Sequence, residues 1–358
     1  MSSLTRLAMF LLLLLLSTTA CSSPLPDVGE AASQPARKLS LTLSDQPSGQ
    51  DADDRLLIAG GTRQAQTVDL QFELPLAADQ RWVLWMARDP FELVRVTSLD
   101  GSIRTSQFFA PSADEGLIPA GYAFPLSRDA IGQQRLRLEL QGAVRSAPTP
   151  HIMSEQDVLR QASREFALAC AIYAALVTLL IASLVLYPAV RDPIFLLYSA
   201  YLAAALMFVA TVSGHLYAWP VTGVLGVMGA RGLWLMVLVF NAVALLTLTR
   251  FAETRTSGSA WIRGLDRMVM AMALLVLLPF LPVQAATDSL QAITTVAWLL
   301  SMLAAIVAML DGARRNVQMA GAMAFAMALL VAAAGAHEAM QRALLADDIV
   351  TRHGYQFA

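Results

Sequence analysis

Cysteine is almost missing from this chain: Cys21 and Cys170 are the only two in 358 residues. They lie too far apart in sequence and setting to staple a domain, so any soluble part must rest on an apolar core. No CxxC, HExxH or His/Cys cluster is present, and His151, His215, His337 and His353 are dispersed. Zinc and dithiol redox chemistry therefore have no local foundation. Phosphate-cradling GxxxxGK[ST] and nucleophile-elbow GxSxG patterns are also missing. No cofactor is expected. Charge is scarce too, at 15% of residues, where a soluble enzyme carries about a quarter. The net charge of −2 gives no basic excess for nucleic acid.

What the chain has instead is oil. Hydrophobic residues make up 56% and the mean hydropathy is +0.56. Most charged residues fall before about residue 165, so a watery region precedes an oily one.

Residues 1–20 read as an export signal. Arg6 supplies a basic start, Ala8 to Leu16 an apolar stretch with six consecutive leucines, and Ser17-Thr18-Thr19-Ala20 a small-residue cleavage site. Cys21 follows directly and is a lipidation site in the alternative reading. Thr18, standing where a lipoprotein signal usually has Leu, favours ordinary cleavage. Retention as a short anchor is the third alternative. Residues 21–60, rich in Ser, Pro, Asp, Gln and Ala, read as a linker.

Period-two patterning begins at Gln66. Val68, Leu70, Phe72 and Leu74 alternate with Thr67, Asp69, Gln71 and Glu73, as a strand with one buried face requires. Trp82 to Met86, Leu93 to Ser98, Ile103 to Phe109, Tyr122 to Phe124 and Arg135 to Leu140 extend the series. Asp100-Gly101 suits the hairpin turn between the third and fourth strands. Short strands at regular spacing without intervening helices predict an all-β sandwich, jelly-roll-like, over 61–150. Residues 151–165 form a connector that turns helical from Ser154.

Six apolar segments then follow over 166–340: Phe166 to Tyr187, Pro193 to Ser213, Gly232 to Thr249, Met268 to Thr287, Leu290 to Leu310, and Val317 to about Ala336. Lipid offers no partner for a bare backbone group, so these are helices and the fold is a sandwich followed by an all-α transmembrane bundle. If the signal exports the β-domain, inner loops hold Arg191, Arg250, Arg255, Arg263, Arg267, Arg314 and Arg315, against Arg231, Arg342 and Arg352 outside. The positive-inside bias and the export signal agree. The expected location is the bacterial inner membrane, with the β-domain in the periplasm and 341–358 on the same side.

One stretch resembles a known family. Tyr187-Pro188-Ala189-Val190-Arg191-Asp192-Pro193, Phe195 to Tyr198, Ser213-Gly214 and Tyr217-Ala218-Trp219-Pro220 are similar to the bacterial seven-transmembrane receptors with diverse intracellular signalling modules. In that pattern Arg191 and Asp192 precede a span marked by Tyr198, and the outer loop ends in Trp219-Pro220. The resemblance also takes in the strand region and Asp348 to Gly354, and implies a sandwich-like outer domain for carbohydrate-like or other small ligands. It further implies a seventh helix and a cytoplasmic output module beyond Ala358, so the chain reads as a sensor half that works through a separate signalling partner or a homodimer.

Candidate site residues follow from these readings. Trp82, Trp85, Phe108 and Tyr122 could stack against a sugar ring, the alternative being plain core packing. Trp82 and Trp85 have opposite parity, so at most one is expected in the core of a regular strand. Asn241 is expected to hydrogen-bond a neighbouring helix, worth about 0.6 to 2 kcal/mol, or to act in signalling. His337 and Glu338 form an ionisable pair near the outer end of the last span. Tyr217 and Trp219 suit the aromatic belt at the headgroups. Gly223, Gly226, Gly229 and Gly232 read as loop and packing glycines. Partners are membrane lipid and a small molecule. A transporter or channel subunit is the alternative function, weakened by spans almost free of charge and without an evident repeat. No converging nucleophile, acid–base or metal groups suggest an enzyme.

Overall fold

The computed structural model describes residues 40–43, 66–74, 81–98, 101–111, 121–126, 132–142, 150–218, 222–253, 260–280, 284–314 and 320–341. The export signal, Cys21, most of the expected linker, Trp219, Pro220 and residues 342–358 lie outside them.

Eight strands come first: β1 (Ser40–Leu43), β2 (Gln66–Leu74), β3 (Trp82–Ala87), β4 (Leu93–Ser98), β5 (Ile103–Ser106), β6 (Gly121–Pro125), β7 (Gly132–Gln141) and β8 (His151–Ser154). They form two antiparallel sheets, ordered β1-β2-β7-β4-β5 and β6-β3-β8. Val68, Leu70 and Phe72 from β2, Val94 and Val96 from β4, and Leu136, Leu138 and Leu140 from β7 meet Leu84, Met86, Tyr122, Phe124 and Ile152 of the second sheet in one core. The period-two residues thus do what their spacing predicts. Their polar alternates face outward, where Asp69 pairs with Arg137 at 3.0 Å and Glu139 with Arg95 at 2.8 Å as direct cross-strand neighbours. Gly101 takes a φ of 78° in the β4–β5 turn.

Three features depart from expectation. β1 lies inside the stretch expected to be a linker, a four-residue strand held by pairing with β2. β5 ends at Ser106, so Phe108 and Phe109 leave the sheet. Trp82 and Trp85 do have opposite parity, yet both pack into protein. Trp82 lies against the sandwich core, while Trp85 joins Val83, Ala87 and Val158 in a second cluster on the far face. The reason is that a helix covers that face.

This helix is α1 (Glu155–Val190), 36 residues long and so about 54 Å, against roughly 30 Å of hydrocarbon. Its first turns carry Glu155, Asp157, Arg160, Arg164 and Glu165 and pack Val158 on the sheet; the rest is apolar. Next come α2 (Ile194–Val212), the short turns α3 (His215–Ala218) and α4 (Gly223–Gly226), α5 (Ala230–Glu253), α6 (Ala260–Leu275), a 3-10 turn (Leu278–Phe280), α7 (Gln284–Arg314) and α8 (Ala320–Gln341). Among the described residues, four stretches are long and apolar enough to cross a membrane: Glu155–Val190, Ile194–Val212, Ala230–Phe251 and Ala292–Arg314. Large apolar side chains such as Ile181, Leu184, Val185, Leu300 and Leu303 are exposed on them, as lipid contact requires and water would penalise.

The break between the fourth and fifth expected spans also moves. Sequence patterning sets it at Asp288-Ser289, but α6 ends at Leu275 and α7 runs unbroken from Gln284. Pro279 explains the shift: proline has no N–H to donate and its ring clashes with the preceding turn. Asp288 sits instead within the first turns of α7.

Candidate functional site

Among the described residues, the β sandwich meets the helix bundle at two places. The first is covalent. β8 runs straight into α1 through Ser154, the last strand residue and the cap of the helix. Its hydroxyl accepts the Asp157 N–H at 3.1 Å, satisfying one of the orphan donors of the first turn. The Glu155 N–H donates to the Arg81 carbonyl at 3.0 Å. β8 pairs with β3 from Trp82↔Ser154 to Trp85↔His151, and the Trp85 ring stacks on His151 with centroids 6.1 Å apart. Strand and helix are thereby one rigid piece.

The second contact is aromatic. Phe108 and Phe109, on the loop after β5, meet Tyr217 of α3 edge to face, with the Phe108–Tyr217 centroids 5.5 Å apart and Phe109–Tyr217 5.2 Å apart. Ala230 and Leu233 of α5 close the cluster, with Val212, Leu225 and Trp234 packed around it. Edge-to-face geometry brings positive ring edges to negative faces. Two glycines permit the approach. A Cβ at Gly226 would collide with the Phe109 carbonyl, and one at Gly214, whose φ is 76°, would come within 2.9 Å of Arg88 Nε. Arg88, just past β3, holds its guanidinium 5.6 Å from the centre of the Phe108 ring.

His215 lies at the edge of this contact. Its Nδ1 is 2.7 Å from the Tyr173 hydroxyl of α1. Burial, and then the nearby Arg88 charge, hold its pKa below the usual imidazole value, because both disfavour the cation. The Tyr217 hydroxyl is pushed the other way by burial. It is enclosed with no hydrogen-bond partner among the described residues, as is Trp85 Nε1 at the first contact. A buried donor left unmatched costs about 1–3 kcal/mol.

The expected site residues are scattered across this frame. Tyr122 is buried in the sandwich, donating to the Asp89 carbonyl at 2.6 Å; Phe108 and Trp85 belong to the two contacts, and Trp82 is half-buried. Tyr217 is 4% exposed, because the Phe108-Phe109 loop covers it. Asn241 of α5 and Ser301 of α7 exchange hydrogen bonds at 3.1 Å deep in the bundle. His337 is half-buried in the last turns of α8, and the Glu338 side chain lies outside the described residues. Arg191 and Asp192 make a turn. Arg191 adopts the left-handed conformation that closes α1, and the Asp192 carboxylate accepts the Ile194 N–H at 2.9 Å to open α2. Tyr198 stacks on Tyr201. His/Cys/Asp/Glu clusters able to hold a metal are absent among the described residues.

Sequence reasoning did not assemble Arg88, Phe109, Tyr173, His215 and Gly226 into one place. The signals were the early end of alternation after Ser106 and the glycines at every third position, which marks a close approach rather than a flexible loop.

An antiparallel sandwich continuous with an apolar helix bundle defines a multi-pass membrane protein. A family model described as 7TM diverse intracellular signalling matches residues 165–358, more than half of the chain, and the protein belongs to that family. No curated protein and no solved structure matches the chain.

Proposed function

We propose that this receptor sits in the bacterial inner membrane with its β sandwich in the periplasm, binds a small carbohydrate-like ligand there, and passes the bound state through the helices to a signalling partner or a second copy. The observation that carries this reading is the unbroken passage from β8 into α1 at Ser154. A shift within the β6-β3-β8 sheet reaches the membrane without crossing a flexible linker. Ligand binding biases the bundle only through a difference in affinity between two arrangements, and a rigid strand–helix piece gives two arrangements something to differ by. Trp82, half-buried at the start of β3, is the aromatic we assign to the ligand. Trp85, Phe108 and Tyr122 act behind it through packing. Inner-loop arginines meet anionic lipid headgroups.

The test uses the full chain in lipid nanodiscs, screened for thermal stabilisation against mono- and oligosaccharides and common metabolites. A ligand that binds the folded state raises the melting temperature by mass action, and Trp82→Ala abolishes the shift. A library-wide absence of any shift overturns the ligand reading. A reporter fused near Gly61 that works only in the cytosol overturns the orientation.

A further inference from the structure

We propose that the contact between the β sandwich and the outer helical turns is an acid-released latch, with His215 as the group that takes up the proton and Phe108, Phe109 and Tyr217 as the surfaces that part. The proposal goes beyond ligand sensing and depends on it only in treating this contact as part of the signal path.

The geometry is specific. His215 joins α3 to α1, by way of Tyr173 at 2.7 Å and a ring contact with centroids 5.7 Å apart. Two residues further on, the same helical turn presents Tyr217 to Phe108 and Phe109. From the end of β3, Arg88 acts on the imidazole while lying over Phe108, so the sandwich itself places a cation beside the histidine. From α1 the facing groups are Tyr173 and, beside it, Cys170; from the end of α2, Ser213. Its own turn adds Tyr217, and the neighbouring α4 adds glycine and aliphatic residues only. Arg88 is the charge that acts on His215 among the described residues.

A neutral ring fits this setting, and a protonated one does not. Protonation leaves both ring nitrogens able only to donate, so the Tyr173 hydroxyl must then accept from Nδ1. A second positive charge now faces Arg88 in a partly dehydrated place, where repulsion is far stronger than in water. Parting the contact hydrates both cations and also frees the Tyr217 hydroxyl, which is buried without a partner while the contact is closed. The closed state therefore already carries a cost that opening relieves.

The sign follows from linkage. A histidine held below its ordinary pKa stabilises the closed contact fully above the free imidazole value of about 6.5. That stability falls by about tenfold in the closing equilibrium per pH unit as the pH drops from there towards the lowered value, and then levels off.

Hydrogen exchange of the full chain in nanodiscs, corrected for intrinsic rates, tests this between pH 8 and pH 5. Segments 106–111 and 214–226 should lose protection on acidification while core strands β2 and β7 keep theirs. His215→Gln, neutral throughout, should stay flat. Arg88→Gln should flatten the acid-induced loss or move it to lower pH, since without that repulsion the closed contact tolerates a protonated ring. An unchanged contact across the range overturns the latch, as does a His215→Gln variant that opens like the parent. If His215→Gln fails to fold, the Arg88→Gln response decides alone: an opening midpoint unmoved or raised overturns the assignment. None of these readouts needs a ligand, so failure here leaves the ligand reading to its own test.

Discussion

Gly226 lies directly beneath the carbonyl of Phe109, with no room for even a methyl group between the β sandwich and the outer helical turn. Backbone cannot yield as a flexible side chain can, so Gly226→Ala must push the Phe108-Phe109 loop away from Tyr217. Overpacking of this kind costs about 1–3 kcal/mol. The expected outcome is faster hydrogen exchange in 106–111 and 214–226 with unchanged protection in β2 and β7. Equal loss throughout would mean that the contact stabilises the whole ectodomain rather than joining two bodies.

Ser154 is the joint that stiffens the other connection. Ser154→Ala removes the cap on the Asp157 N–H, at a cost of about 1 kcal/mol. The first turn of α1 should fray and ligand response should weaken, with the melting temperature only slightly lowered. Ser154→Thr keeps both the acceptor for the Asp157 N–H and the donor to the Asp157 carboxylate and should restore both. A response insensitive to Ser154→Ala would remove the strand–helix passage from the signal path.

The strands were legible because burial on one face writes itself as alternation. The β2 pattern of Val68, Leu70 and Phe72 needed only period two. β1 and β8 were not legible: four residues each, beside Pro- or Ser-rich sequence, they are strands because β2 and β3 offer them edges. Trp85 shows the limit of parity. Alternation says that residues face opposite ways, but not that a helix rising from the chain's own connector buries the second face. The contact with the bundle was the least legible part. Its members come from five separate segments, and nothing local in His215 or Arg88 reveals that they meet. The family motif at Arg191-Asp192 was readable as a pattern, whereas its role as a helix–turn–helix corner needed the left-handed φ of 56° at Arg191.

Gly121 tests the packing behind β3. A Cβ there would sit 2.5 Å from both the Met86 carbonyl and Trp85 Nε1. Gly121→Ala should therefore displace the indole, destabilise the sandwich by at least about 1 kcal/mol, and shift the Trp85 emission, read in a background where the other tryptophans are Phe. An unshifted spectrum with full stability would show that β6 relaxes outward instead, and would argue against a rigid Trp85–Val158 cluster.

The Asn241–Ser301 pair separates packing from switching inside the bundle. Both side chains are almost fully buried, at 1% and 0% exposure, and each donates to the other across α5 and α7. The single Ser301 hydroxyl proton has a second acceptor within reach, the Trp298 carbonyl at 2.7 Å, so it keeps a partner when Asn241 is removed. Asn241 Nδ2 otherwise has only the Met272 sulfur, at 4.0 Å. Losing Ser301 should thus cost more than the reverse count of bonds suggests, because it leaves an amide in hydrocarbon without a good acceptor. A double-mutant cycle with Asn241→Leu and Ser301→Ala, read by denaturant-driven unfolding in bilayer-like micelles, should give a coupling of about 0.6 kcal/mol and no more than about 1.7. The double variant should be nearly as stable as the parent, since removing both partners leaves nothing unsatisfied. If that stable double variant also keeps its ligand response, the pair serves helix packing. A stable variant that no longer responds would make the α5–α7 pair part of the relay.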